Sequence, residues 1–345
     1  MREMGAGSER TSGQSSAAVT TDLAMLSVTL IWGLNFSVMK ALYQYFHPLA
    51  FTVLRFLVAT FALTAILRLR GVQLGIAMRD LPALIFLGVL SNTIYQILFV
   101  NGLATTTAGN AGLLMASTPV FAYLTGVFLK REQFRRAVLG GILLSVSGVA
   151  AIMIYGTGKL TLGSDWLGDA MVLAAAMCWG CYSGASARLI LKYGAMRVTH
   201  WVMLTGTIAM LPVLSPWAIH QDWSSIPPRG WLAFAYSTFL SIVYCYLIWS
   251  HGIQRIGVPR TVVYSNITPI IALFGAWVML RERPSLGQLA GIALILAGVF
   301  VVRSLEAAGL SRIASFAAQL SSRELRWSRE MSCVGRSRKR APRED

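Results

Sequence analysis

Along most of this chain apolar residues fill runs of about twenty positions, and short clusters rich in Pro, Gly, Arg, Lys and Asp separate them. A helix of that length crosses about 30 Å of hydrocarbon. The runs fall at 22–42, 48–67, 81–101, 107–129, 136–155, 167–189, 199–219, 230–252, 258–280 and 287–303, which predicts ten transmembrane helices. Spanning strands would show alternating segments near ten residues, whereas these runs are continuously apolar. The predicted fold class is therefore an all-α membrane protein, because a helix satisfies its own backbone hydrogen bonds in lipid.

The pattern is written twice. At a constant offset of 150, residues 102–149 align with 252–299 without a gap, so that TPVFAYLTGVFLKRE at 118–132 returns as TPIIALFGAWVMLRE at 268–282. Identities include Gly102/Gly252, Thr118/Thr268, Pro119/Pro269, Glu132/Glu282, Gly141/Gly291 and Gly148/Gly298. Near the start of each half the offset is 147, pairing Asp22 with Asp169, Trp32 with Trp179 and Gly33 with Gly180. Each half, 21–156 and 166–303, then holds five spans. Five is odd, so the second copy enters the membrane from the opposite side and the chain is expected to be a 5+5 inverted repeat. Such a repeat has two near-equivalent packings, and exchanging them opens a central site to each membrane face in turn.

Charge fixes the expected orientation. Ten of the 30 Lys and Arg lie between Arg303 and Arg343. With the N-terminus inside, the inner loops hold Arg68, Arg70, Arg79, Lys130, Arg131, Arg135, Arg136, Arg188, Lys192, Arg197, Arg255 and Arg260, against Lys40, Lys159, Arg229, Arg281 and Arg283 outside. The positive-inside rule then puts both termini in the cytoplasm. Residues 1–20 lack a secretory signal's basic start, apolar core and cleavage site and are expected to be a disordered leader. In the basic cytoplasmic tail, 304–345, the residues Leu310, Ile313, Ala317 and Leu320 have helical spacing. That segment is read either as lying on the anionic inner leaflet, making membrane lipid a partner, or as disorder. The net charge of +16 is largely this tail and the loops, so nucleic acid is not an expected partner.

The stretch IWGLNFSVMK, the HPLAFTVLR after it, the WG of the sixth span and the two TP…RE helices resemble the EamA-type transporters of the drug/metabolite transporter superfamily over residues 20–303. The second half has no counterpart to Arg55, and the tail stands outside the common pattern. The resemblance implies transport in the bacterial inner (plasma) membrane, often export, of amino acids or other small metabolites.

Polar side chains inside spans are costly and should face a cavity or a neighbouring helix. In the third span Asn92, Tyr95, Gln96 and Phe99 fall at i, i+3, i+4 and i+7, one face of a helix. The eighth repeats this with Ser237, Ser241, Tyr244 and His251; the first has Trp32, Asn35 and Met39, and the sixth has Trp179, Tyr182, Ser183 and Ser186. Tyr264 and Asn266 add polar groups near Pro269 in the ninth. The candidate substrate-binding set is Trp32, Asn35, Asn92, Tyr95, Gln96, Trp179, Tyr182, Ser241, Tyr244, Tyr264 and Asn266, with hydrogen-bonded helix packing as the competing reading. Pro119 and Pro269 should each free the carbonyl four residues back, those of Met115 and Ser265, and are read as hinges, as sources of ligand contacts near the midplane, or as fixed kinks. Arg55 is read as a contact for an anionic substrate group, as a side chain snorkelling to the outer interface, or as a helix cap. Lys40 reads as an interface anchor and the GxxxG at Gly287 and Gly291 as scaffold, with homodimer contact the alternative.

Several chemistries lack their residues. There is no phosphate loop of GxxxxGK[ST] form, no HExxH, and no acid pair within a span; the four histidines His47, His200, His220 and His251 fall near span ends. Cys178 and Cys181, a CxxC on a helix, read as packing residues, so no metal and no cofactor is expected. Secondary transport of a small-molecule substrate leads, with protons as a candidate coupling ion. Multidrug or hydrophobic-cation efflux is the alternative within that class, weakened by the lack of an intramembrane carboxylate. A membrane-embedded enzyme or receptor is the alternative of another class.

Overall fold

The computed structural model describes residues 5–131, 136–155 and 165–301, all helices and connections. They comprise α1 (Gly5–Leu42), α2 (Pro48–Leu69), α3 (Met78–Thr105), α4 (Ala108–Met115), α5 (Thr118–Phe128), α6 (Arg136–Tyr155), α7 (Asp165–Tyr193), α8 (Ala195–Ile219), α9 (Pro228–Val258), α10 (Thr268–Leu280) and α11 (Leu286–Val301). Seven stretches are long and apolar enough to cross a membrane: Thr20–Leu42, Pro48–Leu69, Met78–Thr105, Ala108–Phe128, Trp166–Tyr193, Ala195–Ile219 and Pro228–Val258. Gly140–Ile152, Thr268–Leu280 and Leu286–Val301 are shorter apolar stretches. The chain is thus a multi-pass membrane protein. The ninth expected span, 258–280, is interrupted by turns at Ser265–Ile267 before α10, and Gly257 at φ 79° breaks the helix just ahead of it. At the other end α1 is helical from Gly5, so most of the expected leader continues the helix. The basic tail and Glu132 lie outside the described residues.

Local chemistry sets the helix ends. His47 caps α2 by accepting from the Leu49 N–H, and Pro48 opens the helix where no N–H is needed. The turn between α7 and α8 is one residue, Gly194 at φ 86°, a conformation that a side chain would strain. Both α3 and α9 contain a π-helical segment, Val89–Ile94 and Tyr236–Tyr244, at positions the 147 offset superimposes at their starts. Pro119 and Pro269 do not kink a continuous helix, as the sequence suggests. Each sits in the first turn of a new one, after the break at Ala116–Ser117 or at Ser265–Ile267.

Packing couples sequence-matched residues. Ring centroids of Trp32 and Trp179 lie 5.6 Å apart, Thr60 and Thr207 hydroxyls hydrogen-bond at 2.8 Å, and Ser145 Oγ donates to the Ile295 carbonyl at 3.4 Å. The matched helices run antiparallel where they meet. Thr64 meets His200 while Thr60 meets Thr207, and Gly148 lies on Gly291 while Gly298 lies on Gly141. Contacts of unmatched helices are swapped in the same way. A Cβ at Gly33 would meet Ile271 and the Thr268 carbonyl, and one at Gly180 would meet Phe121 and the Thr118 carbonyl. Gly291, half of the GxxxG, faces α6 of the same chain.

These approaches leave no room for a side chain at the crossings. A Cβ at Gly206 would stand 2.5 Å from the Gly88 carbonyl and 2.6 Å from Asn92 Cβ, whereas one at Gly140 meets nothing within 4 Å. Gly206→Ala should therefore cost roughly 1–3 kcal/mol through overpacking. Gly140→Ala should be neutral or stabilising, since Gly in a helix interior is about 1 kcal/mol less favourable than Ala. Thermal unfolding in detergent micelles checks this, and equal midpoints for the two variants would contradict the packing described.

Candidate functional site

A cavity of about 70 Å³ lies where α1, α2, α3, α7 and α9 converge with the α4/α5 break and the turn before α10. It is lined by Trp32, Asn35, Phe36, Met39, Arg55, Tyr95, Gln96, Phe99, Met115, Thr118, Trp179, Ser241, Ile242, Tyr246, Ser265 and Thr268. Both halves of the sequence contribute. At this size it has room for a few waters rather than a whole metabolite, so a bound solute must widen it.

One wall is aromatic. Trp32 packs edge-on to Trp179 at 5.6 Å and tilted against Trp249 at 5.2 Å. Trp179 is tilted on Tyr246 at 5.2 Å and on Tyr95 at 5.4 Å, and Tyr95 stacks on Phe99 at 5.5 Å. Trp32 Nε1 donates to the Ser241 backbone carbonyl at 2.8 Å, inside the π-helical segment of α9. π-helical turns disturb the regular ladder, which suits a carbonyl taking an outside donor.

The opposite wall is polar. Arg55 is 2% exposed, so it neither snorkels to the surface nor caps a helix. Its Nη1 donates to Ser237 Oγ at 2.8 Å and contacts Met39 Sδ at 3.2 Å, and Nη2 donates to Gln96 Oε1 at 3.1 Å. The guanidinium also lies 4.9 Å from the Phe51 ring centroid and 5.8 Å from that of Phe56. Asn35 Oδ1 and Thr268 Oγ1 are buried without a hydrogen-bond partner.

The structure brings together Trp32, Asn35, Tyr95, Gln96, Trp179, Ser241 and Arg55 of the candidate residues. Tyr182 is buried behind them, its ring 5.1 Å from Trp179. Four candidates sit elsewhere. Asn92 is fully buried and donates to the Val202 carbonyl of α8, the helix-packing use. Tyr244 is 38% exposed and hydrogen-bonds Ser27 at 2.8 Å. Tyr264 donates to Asp22, and Asn266 lies outside the lining with Oδ1 buried and unpaired. Asn92 and Tyr244 were placed by a 3.6-residue period, but both belong to π-helical segments, whose wider turn rotates them off the stripe. Tyr246 lines the cavity and was missed as a site residue, while Met115 and Ser265, marked in the sequence through the carbonyls that the prolines should free, line it too. Tyr246 falls two residues past the stripe, and the other two sit at the breaks near the prolines.

A second polar cluster joins helix ends from both halves. Lys40, expected at the interface, turns inward and donates to the Leu103, Ala104 and Thr106 carbonyls at 2.9, 2.9 and 2.6 Å, closing the C-terminus of α3. The Asp169 carboxylate, 2% exposed, accepts from Thr106 Oγ1 and from Asn110 Nδ2, and Gln288 Nε2 donates to Asn110 Oδ1 at 2.7 Å. Glu282 accepts the Ala108 and Gly109 N–H groups at 3.1 and 3.0 Å, where the helix dipole of α4 favours an anion. The sequence marks Asp169 only as a residue near a helix start; its burial depends on partners about 60 and 120 positions away. At the matched place in the first half, Asp22 is exposed and accepts from Tyr264. Among the described residues no group of three or more His, Cys, Asp or Glu is placed to hold a metal.

Removing the carboxylate should leave two buried donors stranded. Asp169→Ala is expected to cost about 1–3 kcal/mol per unsatisfied group. The measurement is the thermal midpoint in detergent, with exposed Asp22→Ala as the control; equal shifts for both would contradict a buried network.

A sequence model described as the EamA-like transporter family matches residues 19–154 and again 166–304. A probable terminal-alkyne amino-acid exporter of Streptantibioticus cattleyicolor is 29% identical over 279 residues, covering 81% of this chain and 92% of that protein. A probable amino-acid metabolite efflux pump of Salmonella typhimurium is 28% identical, covering 81% and 93%. An uncharacterized transporter of Bacillus subtilis, YyaM, is 26% identical, covering 85% and 95%. A solved structure titled "Crystal structure of protein" superposes with a TM-score of 0.63 at 20% identity, over 84% of this chain and 98% of that one, a likeness of fold alone.

Proposed function

Given that the chain belongs to the EamA-like transporter family, we propose that it is a secondary exporter of small metabolites, amino acids and their relatives first, working by alternating access. The two matched segments, 21–156 and 166–303, are the moving halves, inverted about an axis in the membrane plane. One observation carries this reading: matched helices meet antiparallel at matched residues, Thr60 with Thr207 and Gly148 with Gly291 against Gly298 with Gly141. Two copies related in that way have a second packing available in which their roles are exchanged. The cavity at their junction is the substrate site, with Trp32, Asn35, Tyr95, Gln96, Trp179 and Ser241 as contacts and the breaks before Pro119 and Pro269 as hinges. The Asp169–Asn110–Gln288 cluster and the Glu282 cap join helix ends of the two halves, and on this reading they part when the halves exchange packings.

The names carried by the Streptantibioticus and Salmonella relatives support amino-acid export. The lining supports a ligand with an apolar body, since aromatic faces enclose apolar groups and a few polar atoms fix orientation. No Asp or Glu lines the cavity, which counts against hydrophobic-cation efflux. The bacterial relatives support an inner-membrane location, and the positive-inside distribution supports both termini in the cytoplasm.

Two measurements test this. In a cysteine-free background, single cysteines at Arg131 and Arg281 should be labelled from opposite sides of the membrane; labelling from one side would end the inverted-repeat reading. In proteoliposomes loaded with labelled amino acids, Tyr95→Ala, Gln96→Ala and Trp179→Ala should each lower flux about tenfold or more, equivalent to about 1.4 kcal/mol. Wild-type flux in all three would remove the site.

A further inference from the structure

The reading above leaves open what chemical group the cavity selects. Burying a guanidinium costs several kcal/mol unless an opposite charge and full hydrogen bonding offset it. Arg55 has no such offset: its acceptors, Ser237 Oγ, Gln96 Oε1 and Met39 Sδ, are all neutral. Its Nε is buried with no partner. Among the residues lining the cavity it is the sole formal charge, and no carboxylate lies among them. The Phe51 and Phe56 rings on its flanks offset part of the cost through cation–π attraction but leave N–H donors unused.

We propose that Arg55 is the carboxylate-binding residue of the site: the transported solute presents a carboxylate to this guanidinium while its apolar portion lies against Trp32, Trp179 and Tyr246. The proposal rests on the transporter reading and narrows it to carboxylate-bearing solutes. A planar guanidinium with unused N–H groups can hold a carboxylate by two parallel hydrogen bonds. A carboxylate entering the cavity supplies the missing countercharge at the moment of binding, whereas an amine of the same shape would place two cations together in a low-dielectric space. Asn35 Oδ1 and Thr268 Oγ1, both buried and unpaired in the same lining, are acceptors suited to an ammonium. An α-amino acid would engage both groups; an N-acylated one would engage Arg55 alone.

The experiment uses the purified full-length chain and four probes of one shape: phenylalanine, N-acetylphenylalanine, phenylalaninamide and phenethylamine. Binding is read by thermal stabilisation and by quenching of tryptophan fluorescence, and flux is read separately in proteoliposomes. The wild type should bind the two acids at least tenfold more tightly than the amide and the amine. Arg55→Gln should lose that preference, and Arg55→Lys, which keeps the charge without the planar fork, should retain part of it. The proposal is overturned if the amide or amine binds as well as the acids, if neither acid binds, or if Arg55→Gln keeps the wild-type preference. Should Arg55→Gln fail to fold, the wild-type ranking and Arg55→Lys decide. Acid-selective binding without flux of any probe would overturn the transport reading and leave Arg55 in its role; flux without acid preference would do the reverse.

Discussion

Within hydrocarbon there is no water to complete a hydrogen bond, and that single constraint organises the molecule. Many serine and threonine hydroxyls turn back onto the carbonyl three or four residues earlier, as Thr29 does to Leu26, Thr52 to Pro48, Ser91 to Leu87 and Ser183 to Trp179. Such bonds let a polar residue sit in a helix without any partner helix. Groups that cannot fold back reach across: Asn92 to Val202, Thr93 to Gly206, Thr199 to Ser250. After these are counted, ten buried side-chain atoms among the described residues lack a partner, and three of them, Arg55 Nε, Asn35 Oδ1 and Thr268 Oγ1, belong to residues lining the cavity. Incomplete satisfaction there is what a site for a polar solute requires.

The same constraint explains the glycines. Helices in lipid gain little from hiding apolar area from one another, so association depends on close van der Waals contact and short interhelical hydrogen bonds. Gly33, Gly180, Gly148 and Gly298 bring backbone to within contact of a neighbouring carbonyl or amide. Because the glycines recur at matched positions, the same small surface is presented by each half to the other. On the proposed reading, two halves that meet through small, alike surfaces could exchange packings without unthreading large side chains, as alternating access requires.

Much of this was legible in the sequence because it depends on local properties. Apolar length gave the helices, and identity at a fixed offset gave the pairs that later meet, Trp32 with Trp179 and Gly148 with Gly291 through Gly141 and Gly298. The cavity was legible where helices are regular: Trp32 and Asn35 on α1, Tyr95 and Gln96 just past the π segment of α3, Trp179 on α7. Where the period changes it was legible only in part: Ser241, within the π segment of α9, does line the cavity. Asn92 and Tyr244 lie in π-helical segments and point away, and Tyr264 follows the break at Gly257. One helix marks Arg55 as a candidate but reveals neither its surroundings nor those of Asp169, which are built by residues far off in the chain, Ser237 and Gln96 for one, Thr106 and Asn110 for the other.

The irregular segments are concentrated at the cavity for a physical reason. The π segments of α3 and α9, the break between α4 and α5 and the turn before α10 all interrupt the regular hydrogen-bond ladder at membrane depth. Lipid cannot tolerate an interrupted ladder, so each must lie against protein or beside a polar space. The π segment of α9, the α4/α5 break and the turn before α10 share the cavity, while the π segment of α3 packs on α8 through Asn92 and ends just before Tyr95 of the lining. Thr118 Oγ1 donates to the Met115 carbonyl at 2.7 Å and Ser265 Oγ to that of Val262, so side chains at each break take up the carbonyls that the regular ladder releases. Short helical pieces joined by such turns can tilt independently, whereas an unbroken helix would transmit any tilt along its whole length. On the proposed reading, the backbone irregularity that lines the cavity is also the place where its walls yield, and the 70 Å³ space between them has to widen before a solute larger than a few waters fits.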